Sequence, residues 1–456
     1  MVSRGLAGSV LAALVACAAN AGIAQPRDPA AVKARLDAIA SAYTPYHLFM
    51  GSVLVVDGDR VLLDKGYGQA DVEWDIPNTP DTKFRIGSLT KQFTAALVLL
   101  LQQDGKLSIQ EPVGKYLPEA PESWKSITLA ELLGHTSGIP DFTHDKDFPV
   151  WSASPHTWAE EFALFRDKPL DFTPGSRFEY SSSNYEVLGT IVEKVGGKPY
   201  GELLRERILG PLGMRDSGLD SDTLVLPKRA QGYRIQTDGT LAEARSESLS
   251  VPWAAGSMYS TTGDLLKWER GLFGGRLLSA GSLKAMTTEG LGGYGLGVQV
   301  TTINGLTEIH HGGAVEGYLG YLFYLPAQRI TVAVLGNVQD LTPEKLARQL
   351  LSVTLGKPVV LPSERRAPIA RGDMDRFVGT YDLPGYSLTF RRDGDVLDSI
   401  SDGTVFPTVY EGFQGGQPTF YVPQIDSEIT FVADAKGAIV SMILHQNFRD
   451  TPGHRQ

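Results

Sequence analysis

The sequence predicts an α+β chain, with one sheet closed from N- and C-terminal segments, a mainly helical stretch between them, and a small all-β domain after it. Three observations carry this reading. Short β-branched and aromatic runs stand near both ends of residues 51–355 with helical patterns between them, so one sheet is closed from N- and C-terminal segments. Residues 356–372 are rich in Pro and Arg and lack periodicity, which marks a linker. Beyond it come short alternating runs separated by Gly and Asp, such as 386–390 and 428–432, the pattern of an all-β unit over 373–456.

Taken in order, residues 1–24 read as an export signal. Arg4 gives a short positive region, 6–19 an apolar stretch, and Ala19-Asn20-Ala21 or Gly22-Ile23-Ala24 a small-residue cleavage site. The apolar stretch is shorter than the ~20 residues a membrane-spanning helix needs. Cys17, the only cysteine, lies inside it, so the mature body has no disulfide, thiolate nucleophile or cysteine-based zinc site. Leu14-Val15-Ala16-Cys17 resembles a bacterial lipoprotein signal. Lipidation at Cys17, the one route to a membrane in this reading, and an incidental cysteine in a secretory leader both stay open.

The main unit is placed at 27–355. It begins with a helix over 28–43 and a hairpin whose strands, 51–56 and 60–63, flank Asp57-Gly58. An amphipathic helix follows Gly87, with Phe93, Leu97 and Leu100 at three- and four-residue spacing and a stop at Asp104-Gly105. Residues 112–218 are mainly helical with long polar loops. They include a helix over 185–195, preceded by serines suited to capping it and closed by Gly196-Gly197. Strands are expected over 294–300, 308–311 and 330–335, then a helix over 343–355. At 456 residues, 42% hydrophobic and 21% charged, the chain has ample core material. A net charge of −10 without a Lys/Arg run excludes nucleic acid as a partner, since that binding needs a basic face.

The chemistry is concentrated in four segments. Ser88-Leu89-Thr90-Lys91 sits where a glycine-led turn enters a helix. Residues i and i+3 share a helix face, so a lysine one turn on can take the serine proton or stabilise the alkoxide. The helix N-terminus adds partial positive charge and free N–H groups. Alone, this spacing also fits a helix cap followed by a solvated lysine. Three further segments accompany it: Leu132-Leu133-Gly134-His135-Thr136-Ser137-Gly138-Ile139-Pro140-Asp141, Phe178-Glu179-Tyr180-Ser181-Ser182-Ser183-Asn184-Tyr185, and His310-His311-Gly312-Gly313-Ala314-Val315-Glu316-Gly317-Tyr318.

In order and spacing these segments resemble the penicillin-recognising serine hydrolases, in the branch of class C β-lactamases, DD-peptidases and esterases. The resemblance covers residues 51–355 and implies a β-lactamase/transpeptidase-like fold, an α+β (α/β sandwich) architecture with a central antiparallel sheet flanked by helices and an all-helical subregion. It implies Ser88 as the acylated nucleophile and Lys91 as its proton-handling partner. Tyr180 would be the general base that later returns the proton to the leaving group, a role that requires cationic neighbours because tyrosine titrates near ~10. His311-Gly312-Gly313 matches the third motif, usually Lys-Thr-Gly and often His-x-Gly in esterase-like members. His311 would polarise the cleft and help hold a Tyr180 phenolate or a substrate carboxylate. Gly313 would let substrate approach the strand, and the N–H groups of Ser88 and Ala314 would form the oxyanion hole.

The second motif departs from the pattern. The branch has Tyr-x-Asn, whose asparagine binds the catalytic lysine and the substrate amide; here Tyr180-Ser181-Ser182 offers one hydroxyl. Ser182 replaces only part of that function, and Asn184 is placed separately, at the helix start. No cofactor and no metal is called for. Adjacent strand residues face opposite ways, so His310 and His311 do not form a metal pair; His311 is assigned to the cleft, with His310 as fallback. Asp141, His144, Asp145 and Asp147 lack a ligand spacing and read as a polar loop. His135 is assigned to ordering the loop beside the cleft, and 253–268 to packing and one cleft wall. No G-x-S-x-G elbow occurs.

The expected activity is that of an exported, periplasmic or secreted serine hydrolase. It would cleave carboxylic ester or amide bonds of small molecules through a Ser88 acyl-enzyme, esterase- or peptidase-like, with weak or no β-lactamase activity. A D-amino-acid-specific peptidase or β-lactamase acting on cell-wall-like substrates is the alternative, and a non-turnover penicillin-binding receptor is the reading from another class.

Overall fold

The computed structural model describes residues 28–456 except 237–239, 304, 340–341, 362–363, 365, 426 and 447–448. The export signal and Cys17 lie outside the described residues. Helix α1 (Pro29–Ser41) is started by Asp28, whose carboxylate accepts the Ala30 N–H, with Pro29 at the first helical position. Strands β1 (Gly51–Asp57) and β2 (Arg60–Tyr67) form the expected hairpin around Gly58, at φ +60°. They join β3 (Gln299–Ile303), β4 (Leu306–Val315), β5 (Tyr318–Leu325) and β6 (Ile330–Gly336) in one six-stranded sheet of order β3-β4-β5-β6-β1-β2, antiparallel throughout.

Successive residues of β1 serve two cores. Val53 and Val55 pack with Leu36 and Ile39 of α1 and with Leu346 and Leu350 of α5 (Thr342–Thr354). Leu54 and Val56 pack on the other face with Phe93 and Leu97 of α2 (Thr90–Gln103) and Leu265 and Trp268 of α4 (Thr262–Phe273). Both faces are therefore covered, which is why β6 is buried along its whole length.

Three expectations are corrected. The strand expected over 294–300 begins only at Gln299, because Gly292, Gly293 and Gly297 adopt positive φ and turn the chain; Tyr294 keeps a single bridge to Gln299. Strand β5 was not anticipated, since its residues are buried nearly throughout and lack two-residue alternation. Helix α2 is buried on every side from Thr90 to Leu101, running between the sheet and the helical subregion instead of presenting a solvated face.

Helix α3 (Ser182–Gly196) ends at Gly197, at φ +71°. The serines before it do not cap it as expected. Asp141 Oδ2 accepts the Ser182 N–H at 3.0 Å, and Ser183 ties the loop down by donating to the Pro140 carbonyl and accepting the Phe142 N–H. The C-terminal region forms a nine-stranded antiparallel sheet from Gly379–Leu383 to Arg449–Arg455, whose first and last strands pair. Its core is separate, built from Phe377, Tyr381, Phe390, Phe420, Phe431 and Met442. In the stretch before it, Glu364 is ion-paired with Arg35 of α1. Among the described residues no helix is long and apolar enough to cross a membrane.

Candidate active site

Ser88 lies in a tight turn, Gly87–Leu89, that leads directly into α2. The turn packs against the end of β4. A Cβ on Gly87, at φ +51°, would come within 2.5 Å of the Ala314 nitrogen, and one on Gly313 within 2.0 Å of the Ile86 carbonyl oxygen. Both glycines are therefore required by close backbone approach, and that approach places Ala314, exposed at the rim, beside the Ser88 backbone. Ser88 itself is partly exposed, open to a substrate.

Lys91 is 1% exposed. Its Nζ donates to Ser88 Oγ at 3.0 Å and to the Ala255 carbonyl at 3.0 Å, and lies 4.9 Å from the centre of the Tyr180 ring and 5.6 Å from that of Tyr185. Burial disfavours the charged amine and pushes it down to about 8; the carboxylates of Asp141 and Glu186 oppose this. Its basicity is thus lowered toward neutrality, one helical turn from the Ser88 hydroxyl.

Tyr180, just ahead of α3, stacks on His135 with ring centres 4.2 Å apart. Its hydroxyl is buried without a hydrogen bond of normal geometry; Ser88 beside it offsets only part of the burial cost, and the phenol is raised above its ordinary value. Burial therefore keeps Tyr180 protonated, against the phenolate that the resemblance implies. His135, fully buried and at φ +55°, accepts the Ser181 N–H on Nδ1 at 3.1 Å. Burial also depresses its basicity strongly, so it is a neutral platform for Tyr180.

His311 points to this side, with its ring 6.2 Å from that of Tyr180. Nδ1 is bonded to the Gly312 carbonyl, which leaves Nε2 to accept the Tyr294 hydroxyl at 2.8 Å. Burial pushes the imidazole down to about 4. The expectation that His311 polarises the cleft or holds an anion is corrected accordingly: it is neutral and both ring nitrogens are engaged. His310 faces away, bonded to Thr301 and Tyr321 and packed on Phe323.

Ser182, the first residue of α3, is half-buried, and its N–H is held by Asp141. Lys91 donates its second bond to the Ala255 carbonyl. Asn184 is fully buried, accepts the Ser137 hydroxyl at 2.6 Å and takes no part in the cleft. Sequence reasoning passed over four groups: Asp141, read as part of a polar loop; Glu186, buried beneath Lys91; Tyr294, the partner of His311; and the Ala255 carbonyl. Asp141 had one legible signal, its position directly after Gly138-Ile139-Pro140 in a segment already singled out. Among the described residues no cluster of His, Cys, Asp and Glu is arranged to hold a metal ion.

A shallowly accessible serine, a buried lysine of lowered basicity and a protonated tyrosine are grouped at the junction of a helix and a sheet edge, an arrangement chemically suited to acyl transfer. The profile of the Beta-lactamase family matches residues 36–354, and the chain belongs to that family. A D-aminopeptidase of Gluconobacter oxydans (strain 621H) is 27% identical over 338 residues, 70% of this chain and 61% of that protein. The octameric penicillin-binding protein homologue from Pyrococcus abyssi has a TM-score of 0.67 at 26% identity, covering 92% of this chain and 99% of its own, the C-terminal sheet region included. D-amino acid amidase from Ochrobactrum anthropi SV3, solved with L-phenylalanine amide, has a TM-score of 0.64 at 25% identity and covers 72% of this chain and 100% of its own. The fold is thus the β-lactamase/transpeptidase fold of a serine hydrolase family. The chain spans about three fifths of the length of the curated relatives it matches.

Proposed function

We propose that this protein is an exported serine hydrolase that cleaves small carboxylic esters and amides through an acyl-enzyme on Ser88. The observation that carries the reading is the 3.0 Å contact between Ser88 Oγ and a buried Lys91 amine of lowered basicity. In the first step the neutral Lys91 amine takes the Ser88 proton as Oγ bonds to the substrate carbonyl carbon. The oxyanion lies between the N–H groups of Ser88 and Ala314. Tyr180, protonated, donates to the departing alkoxide or amine and is reprotonated from the Lys91 ammonium. Water then attacks the Ser88 ester and releases the acid. This order reverses the roles implied by the family resemblance: Lys91 is the base and Tyr180 the relay.

Ester hydrolysis with weak β-lactamase activity follows from Ser182, which offers a substrate amide a single hydroxyl. A second reading, hydrolysis of D-amino acid amides or D-terminal peptides, is favoured by the likeness to the amidase and the D-aminopeptidase. Incubating the protein and Ser88→Ala with an activated ester, D-phenylalanine amide, a D-Ala-D-Ala peptide and a chromogenic cephalosporin, with intact mass followed in time, separates these. Turnover of the ester alone supports the first reading, and turnover of the D-amide or peptide the second. A persistent cephalosporin adduct without turnover makes the protein a receptor. Equal activity in Ser88→Ala refutes the mechanism. Export and lipidation at Cys17 are tested by fractionation and by the mass of the mature N-terminus.

A further inference from the structure

Beneath the proposed site lies a buried carboxyl pair that the acyl-transfer steps leave unused. Glu186, on the first turns of α3, is 0% exposed, and Glu161, on the helix Trp158–Phe165, is 2% exposed. Each keeps one carboxyl oxygen buried without a hydrogen-bond partner, an arrangement that costs stability and therefore asks for a reason. The other oxygen of Glu186 accepts the Ala255 N–H at 3.0 Å. Ala255 belongs to the helical turn Trp253–Gly256, and its carbonyl receives Lys91 Nζ at 3.0 Å. One residue thus carries both contacts, Glu186 on its N–H and Lys91 on its carbonyl.

The turn is clamped elsewhere too. Thr94, one helical turn after Lys91, donates to the Ala254 carbonyl at 2.6 Å and also contacts the Tyr200 hydroxyl. Gly189, one turn after Glu186, admits the Ala254 methyl so closely that a Cβ there would sit 2.4 Å from it. The glycine lets α3 come near enough for the Glu186 carboxyl to reach the Ala255 N–H.

We propose that Glu186 is a positioning residue for the acyl-transfer reaction: by holding the Ala255 turn whose carbonyl receives Lys91, it fixes the amine against Ser88. The inference rests on the proposed serine-hydrolase reading. A buried lysine has four rotatable bonds, and a carbonyl acceptor that drifts would let Nζ leave the serine. The electrostatics reinforce the geometry. Glu186 is raised by burial and lowered by Lys91, while Glu161 is raised well above its ordinary value by burial and by Glu186. Glu186 also faces Tyr200, and Lys91 is faced in turn by Asp141, Tyr180, Tyr185, His135 and His311. A negative charge on Glu186 favours the ammonium form of Lys91, so its proton occupancy bears on the amine as well as its position.

Two variants test this in the full-length protein. Glu186→Gln keeps an acceptor for Ala255 but removes the charge. Its acylation rate should stay within a few-fold of wild type at the plateau, and the acid limb should move to lower pH. Glu186→Leu removes the acceptor and should lower kcat on the order of 10²-fold with KM little changed. Ser88→Ala is run alongside. Activity in Ser88→Ala equal to wild type refutes the serine mechanism itself. Acylation at Ser88 in wild type, together with a Gln profile that superimposes on it and a Leu variant of unchanged kcat, overturns the role of Glu186 alone. Should the Leu variant not fold, Glu186→Ala is read for kcat in its place, and an unchanged value overturns the role.

Discussion

Acylation by this site should follow the neutral fraction of Lys91, and the pH profile carries a magnitude. With the amine at about 8, its neutral fraction is about 0.1 at pH 7 and about 0.9 at pH 9, a rise of about tenfold with a plateau above. A solvent-exposed lysine near 10.5 would be neutral in about 3 in 10⁴ molecules at pH 7 and about 3 in 10² at pH 9, a rise of about 100-fold with no plateau in that range. The two cases differ in slope and in shape. The assay is the pre-steady-state burst of phenolate from an activated aryl ester, read by stopped flow from about pH 6 to pH 10, with Ser88→Ala correcting for spontaneous hydrolysis. A log-linear rise through the whole range, or a limb unaltered in Lys91→Met, refutes the assignment of the base to Lys91. The neutral state of His311 adds a condition: no separate limb belongs to an imidazole near its ordinary value, because burial holds that ring at about 4.

Gly313→Ala should leave circular dichroism unchanged and reduce acylation on the order of 10²-fold, because its Cβ would lie 2.0 Å from the Ile86 carbonyl and push β4 from the nucleophile turn. Wild-type acylation in that variant would show that the turn and the strand need not touch. Glu269 of α4 is fully buried with an unpartnered oxygen, and burial raises it to about 8. A raised carboxyl favours the folded state below its unfolded value near 4.5 and loses that stability as pH climbs through 8, about 5 kcal/mol in all. Glu269→Gln should therefore raise Tm at pH 8 and change it little at pH 5; a shift equal at both values counts against the assignment. Ser182→Asn supplies the carboxamide of the family's second motif and should raise rates on amides more than on esters, measured as the ratio of kcat/KM for D-phenylalanine amide to that for an aryl ester. An unchanged ratio means that Ser182 does not set substrate preference.

How much of this was legible beforehand depends on the range over which each property is set. Ser88 and Lys91 are one helical turn apart, so their residue types and spacing already imply the 3.0 Å contact. The hairpin of β1 and β2 was equally readable, since Asp57-Gly58 supplies the turn locally. Strand β5 and the all-round burial of α2 were not, because both depend on what the second face meets, and periodicity registers only the contrast between a buried and a solvated side.

The sequence by itself determined the residue types that can carry acyl transfer, their order along the chain, and the glycines that let backbones meet at the site. The tertiary structure alone decided their charge states and supports. The basicity of Lys91 is lowered because burial removes its water, and no local pattern reports that burial. Its second anchor is the carbonyl of Ala255, a backbone group that every residue possesses, 164 positions away. Asp141 and Glu186 act through proximity created by folding. A side chain's chemistry is written in its identity, whereas its proton affinity depends on solvation and on neighbouring charges, and both are set only when distant segments close around it.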